Sequence, residues 1–255
     1  MLMYERGTCL YDNPLSSPSD LKGFRMEGDG ATSFPMGRMR LEATGDPDDG
    51  QKANIVFWCP EDFPDHIEVT WDFYPIRDPG LAIMFFAAVG HGGKDLIDPS
   101  LAERKGPYNQ YHSGDMNALH VSYFRRKHPT ERAFTTCNLR KSHGFHLVAQ
   151  GADPIPSIPD AIPPYHIRLV KSGAHVQFSI AQGKQEVLAF SWTDDGETYG
   201  PVLTGGKIGF RQMCPLIAEY GNLKVHAISP VTQVLNPNES AHHENNLSCA
   251  TTLPW

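Results

Sequence analysis

Histidine, asparagine and arginine recur at alternate positions in three short stretches of this sequence, a pattern typical of strands with one polar face. In each stretch we assign the apolar neighbours to the core. The side chains left on the opposite face are those of His120, Asn138, Arg140, Arg126 and Arg211. If these strands lie in one sheet, the five side chains converge in a common hollow.

This set of side chains suits β-elimination on a uronic acid. The C5 proton of the sugar is weakly acidic until the neighbouring carboxylate is neutralised, and arginine binds a carboxylate through two hydrogen bonds. An amide adds a hydrogen bond that strengthens as negative charge develops, and histidine removes the proton near neutral pH. The predicted catalytic residues are His120, Tyr123, Arg140 and Asn138, with no metal ion. The predicted substrate-binding residues are Arg126, Arg211, Asn117, His146, Gln150 and Trp71, of which His146 is also an alternative acid or base.

Each candidate also has an ordinary structural interpretation. An arginine on a wet strand face is usually a solubilising residue, and a single histidine in a strand is usually hydrogen-bonded for structure. Tyr123 shares its alternation with Leu119 and Val121, so a place in the core or at its rim is the simpler interpretation. Trp71 and Trp192 are either core residues or platforms on which sugars stack.

The charge distribution supports an anionic ligand. Residues 117–150 contain six Lys or Arg and one acid, whereas the whole chain has a net charge of -7. Such a cationic patch suits an acidic, hydroxyl-rich molecule. Nucleic acid is not expected, because the chain as a whole is acidic and has no basic helix or aromatic RNA-binding motif.

Composition predicts an all-β fold. The 255 residues include 23 Gly and 21 Pro, and 40% are hydrophobic, which favours many short strands joined by turns. Strand and turn signals alternate at near-regular spacing in the final third. We expect one domain over residues 1–228 and a polar tail over 229–255 that is weakly packed or disordered. Residues 96–106 are the best helix candidate, with Asp98 as the cap.

The cysteines and the hydropathy pattern limit the setting. Five scattered cysteines with no C-x-x-C pair argue against a zinc site and a disulfide framework, and favour a reducing compartment. No apolar run is long enough for a signal peptide or a membrane span. These features lead us to expect a cytoplasmic protein without a membrane partner.

Long strings of this sequence resemble the YesU-like family of bacterial proteins. They are SGDMNALHVSYFRR, TTCNLRKSHGFHLVAQGADPIP and GGKIGFRQM followed by AEYGNLKV, and the similarity spans about residues 8–228. The resemblance implies a concanavalin A-like lectin/glucanase jelly roll, an antiparallel two-sheet β-sandwich with few short helices and a concave ligand-binding sheet. It also implies a setting in plant or algal polysaccharide use. The family is catalogued as a domain of unknown function, so it supplies no reaction.

Hydrolases with this sandwich fold carry two catalytic carboxylates on one strand in the pattern E-x-D-x-x-E. The nearest stretch here is Glu68-Val-Thr-Trp-Asp72, which lacks the middle and last acids. A two-carboxylate hydrolase is therefore disfavoured, and the ordinary interpretation of Glu68 and Asp72 is a solvated strand face.

The sequence thus predicts a carbohydrate-active protein that acts on uronate-containing oligosaccharides by lyase-type elimination, without a cofactor. The alternative is a lectin-like binding module without catalysis, and a third possibility is a purely structural sandwich. The sequence leaves open whether a structural calcium is bound and whether the chain forms oligomers.

Overall fold

A computed structural model describes residues 2–126 and 135–231 of the chain. Its strands are β1 (Tyr4–Asn13), β2 (Arg25–Glu27), β3 (Gly30–Ser33), β4 (Met39–Ala43), β5 (Ile55–Phe63), β6 (Ile67–Arg77), β7 (Gly80–Gly90), β8 (Met116–Arg126), β9 (Thr136–Ser142), β10 (His146–Ala152), β11 (Tyr165–Ser172), β12 (His175–Gln182), β13 (Gln185–Thr193), β14 (Gly206–Met213) and β15 (Ile217–Pro230). One α-helical turn, α1 (Asn109–His112), and the short 3-10 helices Pro18–Leu21, Pro47–Ala53, His91–Gly93 and Ile158–Asp160 complete the elements.

The strands form two antiparallel sheets packed face to face. Sheet A has the order β13-β12-β11-β6-β15-β4-β3, with β1 also paired to β15. Sheet B has the order β10-β9-β8-β7-β14-β5-β2. The predicted antiparallel two-sheet sandwich with few short helices is confirmed. Among the described residues, seven of the thirteen strand pairs join strands that are not consecutive in the chain, as in the jelly rolls that this architecture includes.

The main core lies between the two sheets. Side chains that alternate inward from both sheets fill it, and large aromatic residues dominate its centre: Trp71 and Phe73 from β6, Tyr123 from β8, Phe178 from β12 and Phe210 from β14. Their rings contact one another in tilted and edge-on geometries, as aromatic clusters prefer. This core leaves the outward side chains of each sheet available for other contacts.

The helix predicted for residues 96–106 is wrong. The segment is a series of turns, because the Asp98 carboxylate accepts hydrogen bonds from the backbone and hydroxyl of Ser100 instead of capping a helix. Further along, the Arg104 side chain is drawn into a buried ion pair. The only α-helical turn among the described residues follows, at Asn109–His112.

The described residues contain no helix that is long and apolar enough to cross a bilayer. Within residues 2–126 and 135–231, no three histidine, cysteine or acidic side chains are grouped as metal ligands would be. β15 extends to Pro230, two residues beyond the predicted domain end, and most of the predicted tail lies outside the described residues.

Candidate functional site

The pairing of the strands in sheet B brings the central predicted residues onto its outer face. His120 on β8 lies opposite Arg140 on β9, and Asn138 lies two residues from Arg140 on the same side. Arg211 is on β14, which is separated from β8 only by β7. The convergence of imidazole, amide and guanidinium groups predicted from alternation is therefore present.

The chain between β7 and β8, residues 91–115, folds back across the centre of this face and is called the cover below. Its Leu96 and Tyr111 are buried in a second apolar cluster, with Tyr108 packed against it. Arg104 fixes the cover to the far edge of the sheet. Its Nη2 lies 2.9 Å from Oε1 of Glu27 on β2 and donates to the Leu96 carbonyl at 2.8 Å.

The Arg211 guanidinium lies at the covered end of the face. The residue is 0% exposed, and among the described residues none of Nε, Nη1 and Nη2 has a hydrogen-bond partner. Its Cζ lies 4.6 Å from the ring centroid of Tyr108 and 5.0 Å from that of Tyr111. Burial lowers the pKa of Arg211, but arginine keeps its charge in proteins. Unsatisfied charged donors are costly in an interior, which identifies Arg211 as a candidate anion-binding group.

His120 lies near Arg211 as a neutral imidazole. The residue is 0% exposed, and neither ring nitrogen has a partner in the part of the chain that the structure describes. Its ring centroid lies 5.0 Å from that of Phe85 and 5.5 Å from that of Tyr108. Burial, and then the positive charges of Arg140 and Arg211, hold the pKa of His120 well below 6.5. One ring nitrogen therefore carries a free lone pair at neutral pH and can accept a proton.

Tyr108 contacts both of these groups and is a candidate proton donor. Burial raises the pKa of Tyr108 to about 12, so its hydroxyl keeps the proton at neutral pH. The ring of His112, four residues later on α1, lies 5.2 Å from the Tyr108 ring, and Phe145 packs edge-on against Tyr108 at 5.3 Å. A proton acceptor and a proton donor thus meet beside two guanidinium groups.

The face is open over β9 and β10, and this open side is called the mouth below. Arg140 is partly exposed there; its Nη1 donates to the Phe145 carbonyl at 3.0 Å and its Cζ lies 3.8 Å from the Phe145 ring centroid. Gln150 donates to Oδ1 of Asn138 at 2.7 Å. Phe145 and Leu147 are 44% and 45% exposed, so a ligand can approach across apolar surface from this side.

Gly209 allows the floor of the site to form. It lies on β14 between Phe85 of β7 and Trp58 of β5. A Cβ at position 209 would lie 2.4 Å from Cε3 of Trp58, so only glycine leaves room for the indole ring against the strand. Trp58 then packs 5.4 Å from the Phe85 ring, which in turn supports His120.

Two predicted site residues lie in the inter-sheet core. Tyr123 and Trp71 are 0% and 1% exposed, and Nε1 of Trp71 donates to the Tyr123 hydroxyl at 3.1 Å. Burial raises the pKa of Tyr123. The catalytic role predicted for Tyr123 and the ligand contact predicted for Trp71 are therefore wrong. Alternation had already placed Tyr123 with Leu119 and Val121.

Arg126 does not join the basic face. The backbone of Phe124 has φ +49°, and the pairing of β8 with β7 shifts register near it. The irregularity puts Phe124 in the inter-sheet core and turns Arg126 towards Asp153, with Nη1 3.1 Å from Oδ2. Arg126 also donates to the Ile155 and Pro156 carbonyls. Its predicted role in substrate binding is wrong because a bulge reverses the alternation.

Two further candidates hold the structure around the site. Oδ1 of Asn117 lies 3.4 Å from the backbone nitrogen of His143, in the turn between β9 and β10. His146 lies opposite Lys141, on the other side of the sheet from Arg140, and stacks on Tyr199 with centroids 4.3 Å apart. The substrate contacts predicted for Asn117 and His146 are not supported, whereas Gln150 remains at the mouth.

The alternation of apolar and polar residues does not identify the residues of the cover. Tyr108, Tyr111 and His112 stand at positions i, i+3 and i+4 of one short stretch, directly before the basic strands. Such spacing places aromatic side chains on one side of a helical turn and was the available signal. Only the fold shows that this turn lies over His120 and Arg211.

The outer face of sheet A is the other polar surface of the sandwich, and its acids are already paired. Glu68 is fully buried, accepts a hydrogen bond from the Tyr4 hydroxyl and lies 2.5 Å from Nη2 of Arg6. Oδ1 of Asp72 lies 2.5 Å from Nδ1 of His166. The interpretation of Glu68 and Asp72 as a solvated face is therefore wrong. Both carboxylates serve structural contacts, in contrast to the unpaired groups of sheet B.

Comparison with known proteins gives the family but no reaction. The model of the family described as "Domain of unknown function (DUF1961)" matches residues 8–225. The uncharacterised protein YesU of Bacillus subtilis strain 168 is 58% identical over 224 residues, which are 88% of this chain and 98% of YesU. A solved Bacillus subtilis protein of unknown function with a galectin-like fold has 57% identity and a TM-score of 0.82, and covers 89% of this chain and 99% of its own.

More distant structures share the fold alone. A legume lectin-like domain from Entamoeba histolytica has a TM-score of 0.57 at 10% identity, over 86% of this chain and 97% of its own. The galectin-like and legume-lectin-like neighbours agree with the two-sheet sandwich described above, and the predicted resemblance to YesU is confirmed. Since the family model and a relative at 58% identity both span most of the chain, this protein belongs to the DUF1961 family of YesU-like proteins.

Proposed function

We propose that the outer face of sheet B binds a uronate-containing oligosaccharide and cleaves it by β-elimination. The observation that carries this proposal is His120, a buried neutral imidazole with no hydrogen-bond partner among the described residues, beside two guanidinium groups. A base and a carboxylate clamp in one enclosed place are what proton removal next to a carboxylate requires.

The reaction assigns one step to each group. Arg211 and Arg140 neutralise the uronate carboxylate, which makes the C5 proton acidic. His120 takes that proton, and the electron pair of the C5–H bond forms the C4=C5 double bond. The bond between C4 and the glycosidic oxygen breaks, and Tyr108 gives its proton to the departing oxygen. Asn138, whose Oδ1 is engaged by Gln150, presents its amide nitrogen towards the charge that develops on the carboxylate.

The fold is compatible with a sugar ligand. Solved structures that share it at low identity include a Bauhinia forficata lectin in complex with GalNAc, with a TM-score of 0.53 at 10% identity. The acidic nature of the ligand rests on Arg211 and Arg140 alone. A two-carboxylate hydrolysis is disfavoured because Glu68 and Asp72 lie in sheet A, away from the basic face, and are already paired.

The direct test is product formation. We expect wild-type protein to produce 4,5-unsaturated uronates from galacturonate- or glucuronate-containing oligosaccharides, measured as absorbance near ~235 nm and as product mass. The same oligosaccharides with methyl-esterified carboxylates serve as matched controls and should react far more slowly, because Arg211 loses its anionic partner. If the protein binds the acidic oligosaccharides but forms no unsaturated product, the lyase hypothesis is wrong and the lectin-like binding module is the better interpretation.

The pH dependence should show a broad plateau. The acidic limb of kcat/KM follows protonation of His120, and since its pKa lies well below 6.5, that limb should fall well below pH 6.5. The basic limb follows Tyr108, whose pKa of about 12 keeps the activity level through the mildly alkaline range. Initial rates at low substrate concentration across pH will show this. An acidic limb centred at 6.5 would mean that a solvent-exposed histidine is the base.

A further inference from the structure

The geometry points to a ligand that enters end first, with a uronate at its reducing end as the innermost residue. This inference rests on the proposed function and adds to it the class of substrate: a short oligosaccharide or chain end, rather than the interior of a polymer. The basic face is closed at Arg211 and open at the mouth, and the direction of the glycan follows from that asymmetry.

The closed end is formed by buried groups from three directions. Tyr111 of the cover and Trp58 of β5 are 0% and 1% exposed, and the Glu27–Arg104 ion pair joins the cover to the edge of the sheet. Tyr111 and Trp58 are held in place by their neighbours in the second apolar cluster. A glycan therefore has no path past Arg211 towards β5 and β2.

At this end, five of the buried polar atoms left without partners among the described residues are hydrogen-bond donors. Besides the three nitrogens of Arg211, Nε1 of Trp58 and Nη1 of Arg104 are buried without a partner among the described residues. Indole and guanidinium nitrogens donate and cannot accept. Buried donors of this kind are satisfied by an acceptor, and a carboxylate offers several acceptor sites and the matching charge. The carboxylate of the innermost sugar is thus expected at Arg211.

The mouth has the opposite character. Arg140 is partly exposed, and Phe145 and Leu147 are close to half exposed. Exposed apolar side chains can pack against the faces of further sugar rings. The rings of Tyr108 and Phe145, whose centroids lie 5.3 Å apart, are the groups that a glycan must displace to reach Arg211 from this side. The remaining residues of the glycan therefore leave the site here.

Elimination fixes which end of the glycan is inside. The uronate that loses its C5 proton must carry the departing glycosyl group on its C4 oxygen, so C4 points to the mouth. Its C1 then points into the closed end, where Tyr111 and Trp58 leave no room for another sugar. Only a residue with a free C1, the reducing end, satisfies both conditions, and each turnover releases one unsaturated monosaccharide and a shortened glycan.

The test compares two caps on each of two disaccharides. Digalacturonate and a disaccharide ending in glucuronate are each prepared free, as the benzyl glycoside at the reducing end, and with a benzyl ether on the non-reducing residue. We expect the free and non-reducing-end-capped forms to give unsaturated product, and the reducing-end glycosides to react at least about a hundredfold more slowly. Equal rates for the two capped forms would overturn end-first entry while leaving elimination in place.

A binding measurement keeps the inference testable without catalysis. The titrations use wild-type protein if it does not cleave the disaccharides, and His120→Gln protein if it does. The reducing-end cap should weaken the affinity measured by calorimetry at least about tenfold, while the non-reducing-end cap leaves it unchanged. If the reducing-end cap weakens the affinity in this way but wild-type protein forms no unsaturated product, the proposed elimination is wrong and end-first entry is still supported. Equal affinity for both caps, or no affinity for either disaccharide, overturns the inference.

Discussion

Replacing His120 with glutamine should reduce the formation of unsaturated product by about three orders of magnitude while leaving ligand binding nearly unchanged. Glutamine fills a similar volume and remains neutral, as the imidazole does at neutral pH, but its amide cannot take up the C5 proton. The substitution therefore removes the base without adding or removing charge. The measurements are kcat from absorbance of the product and Kd from calorimetry with the same oligosaccharide.

A matched control is available in sheet A. His226 lies on β15, and its Nδ1 is also buried without a partner among the described residues. His226→Gln should leave both kcat and Kd as in the wild type, because this residue is on the opposite sheet. If His120→Gln protein keeps its melting temperature and its full rate, His120 is not the base. A drop in binding and rate together would instead assign His120 to ligand positioning.

Replacing Arg211 with methionine should lower the activity strongly without destabilising the fold. Loss of the carboxylate clamp is expected to lower kcat/KM by about a hundredfold or more. A buried guanidinium without hydrogen-bond partners costs desolvation free energy, so an apolar side chain of similar length should leave the free energy of unfolding unchanged or raise it by about 1–3 kcal/mol. Activity assays measure the expected fall in kcat/KM, and urea unfolding measures whether the free energy of unfolding is unchanged or raised.

Arg126 provides the contrast within the same chain. Its guanidinium is paired with buried Asp153. Arg126→Met therefore leaves a buried carboxylate without an ion-pair partner, and should lower the free energy of unfolding by about 3–5 kcal/mol. The folded fraction should retain wild-type kcat/KM, because Arg126 lies off the basic face. If Arg211→Met destabilises the protein as strongly as Arg126→Met does, Arg211 is a structural residue and the anion site is lost.

The alternation of apolar and polar residues predicted the architecture and the centre of the site. In β8, β9 and β14 each strand is regular around His120, Arg140 and Arg211, so the side-chain period of two assigns these residues to the face away from the core. This assignment depends only on local properties of each strand, which is why a single sequence was sufficient to predict it. That the three strands share one sheet was a condition of the prediction, because strand pairing is not a local property.

Two kinds of feature could not be predicted in this way. The position of Arg126 depends on a bulge at Phe124, and a bulge is set by the pairing with β7 rather than by the residues of β8. The cover depends on the burial of Tyr111 against Phe85, a contact between segments that alternation does not relate. Residues 96–106 have capping and end signals for a helix, but the ion pair of Arg104 with Glu27 and the turn at Asp98 prevailed over this local preference.

The close approach of Trp58 to Gly209 has a consequence for how this family can diversify. A methyl group added at position 209 would displace the indole, the indole would displace Phe85, and the imidazole of His120 would lose its support. The depth of the site and the position of the His120 imidazole are therefore linked through the rings of Trp58, Phe85 and His120 and the absence of a side chain at Gly209. Relatives that take a larger innermost sugar cannot gain room by changing one of these positions alone; we expect them to have replaced 209, 58 and 85 together.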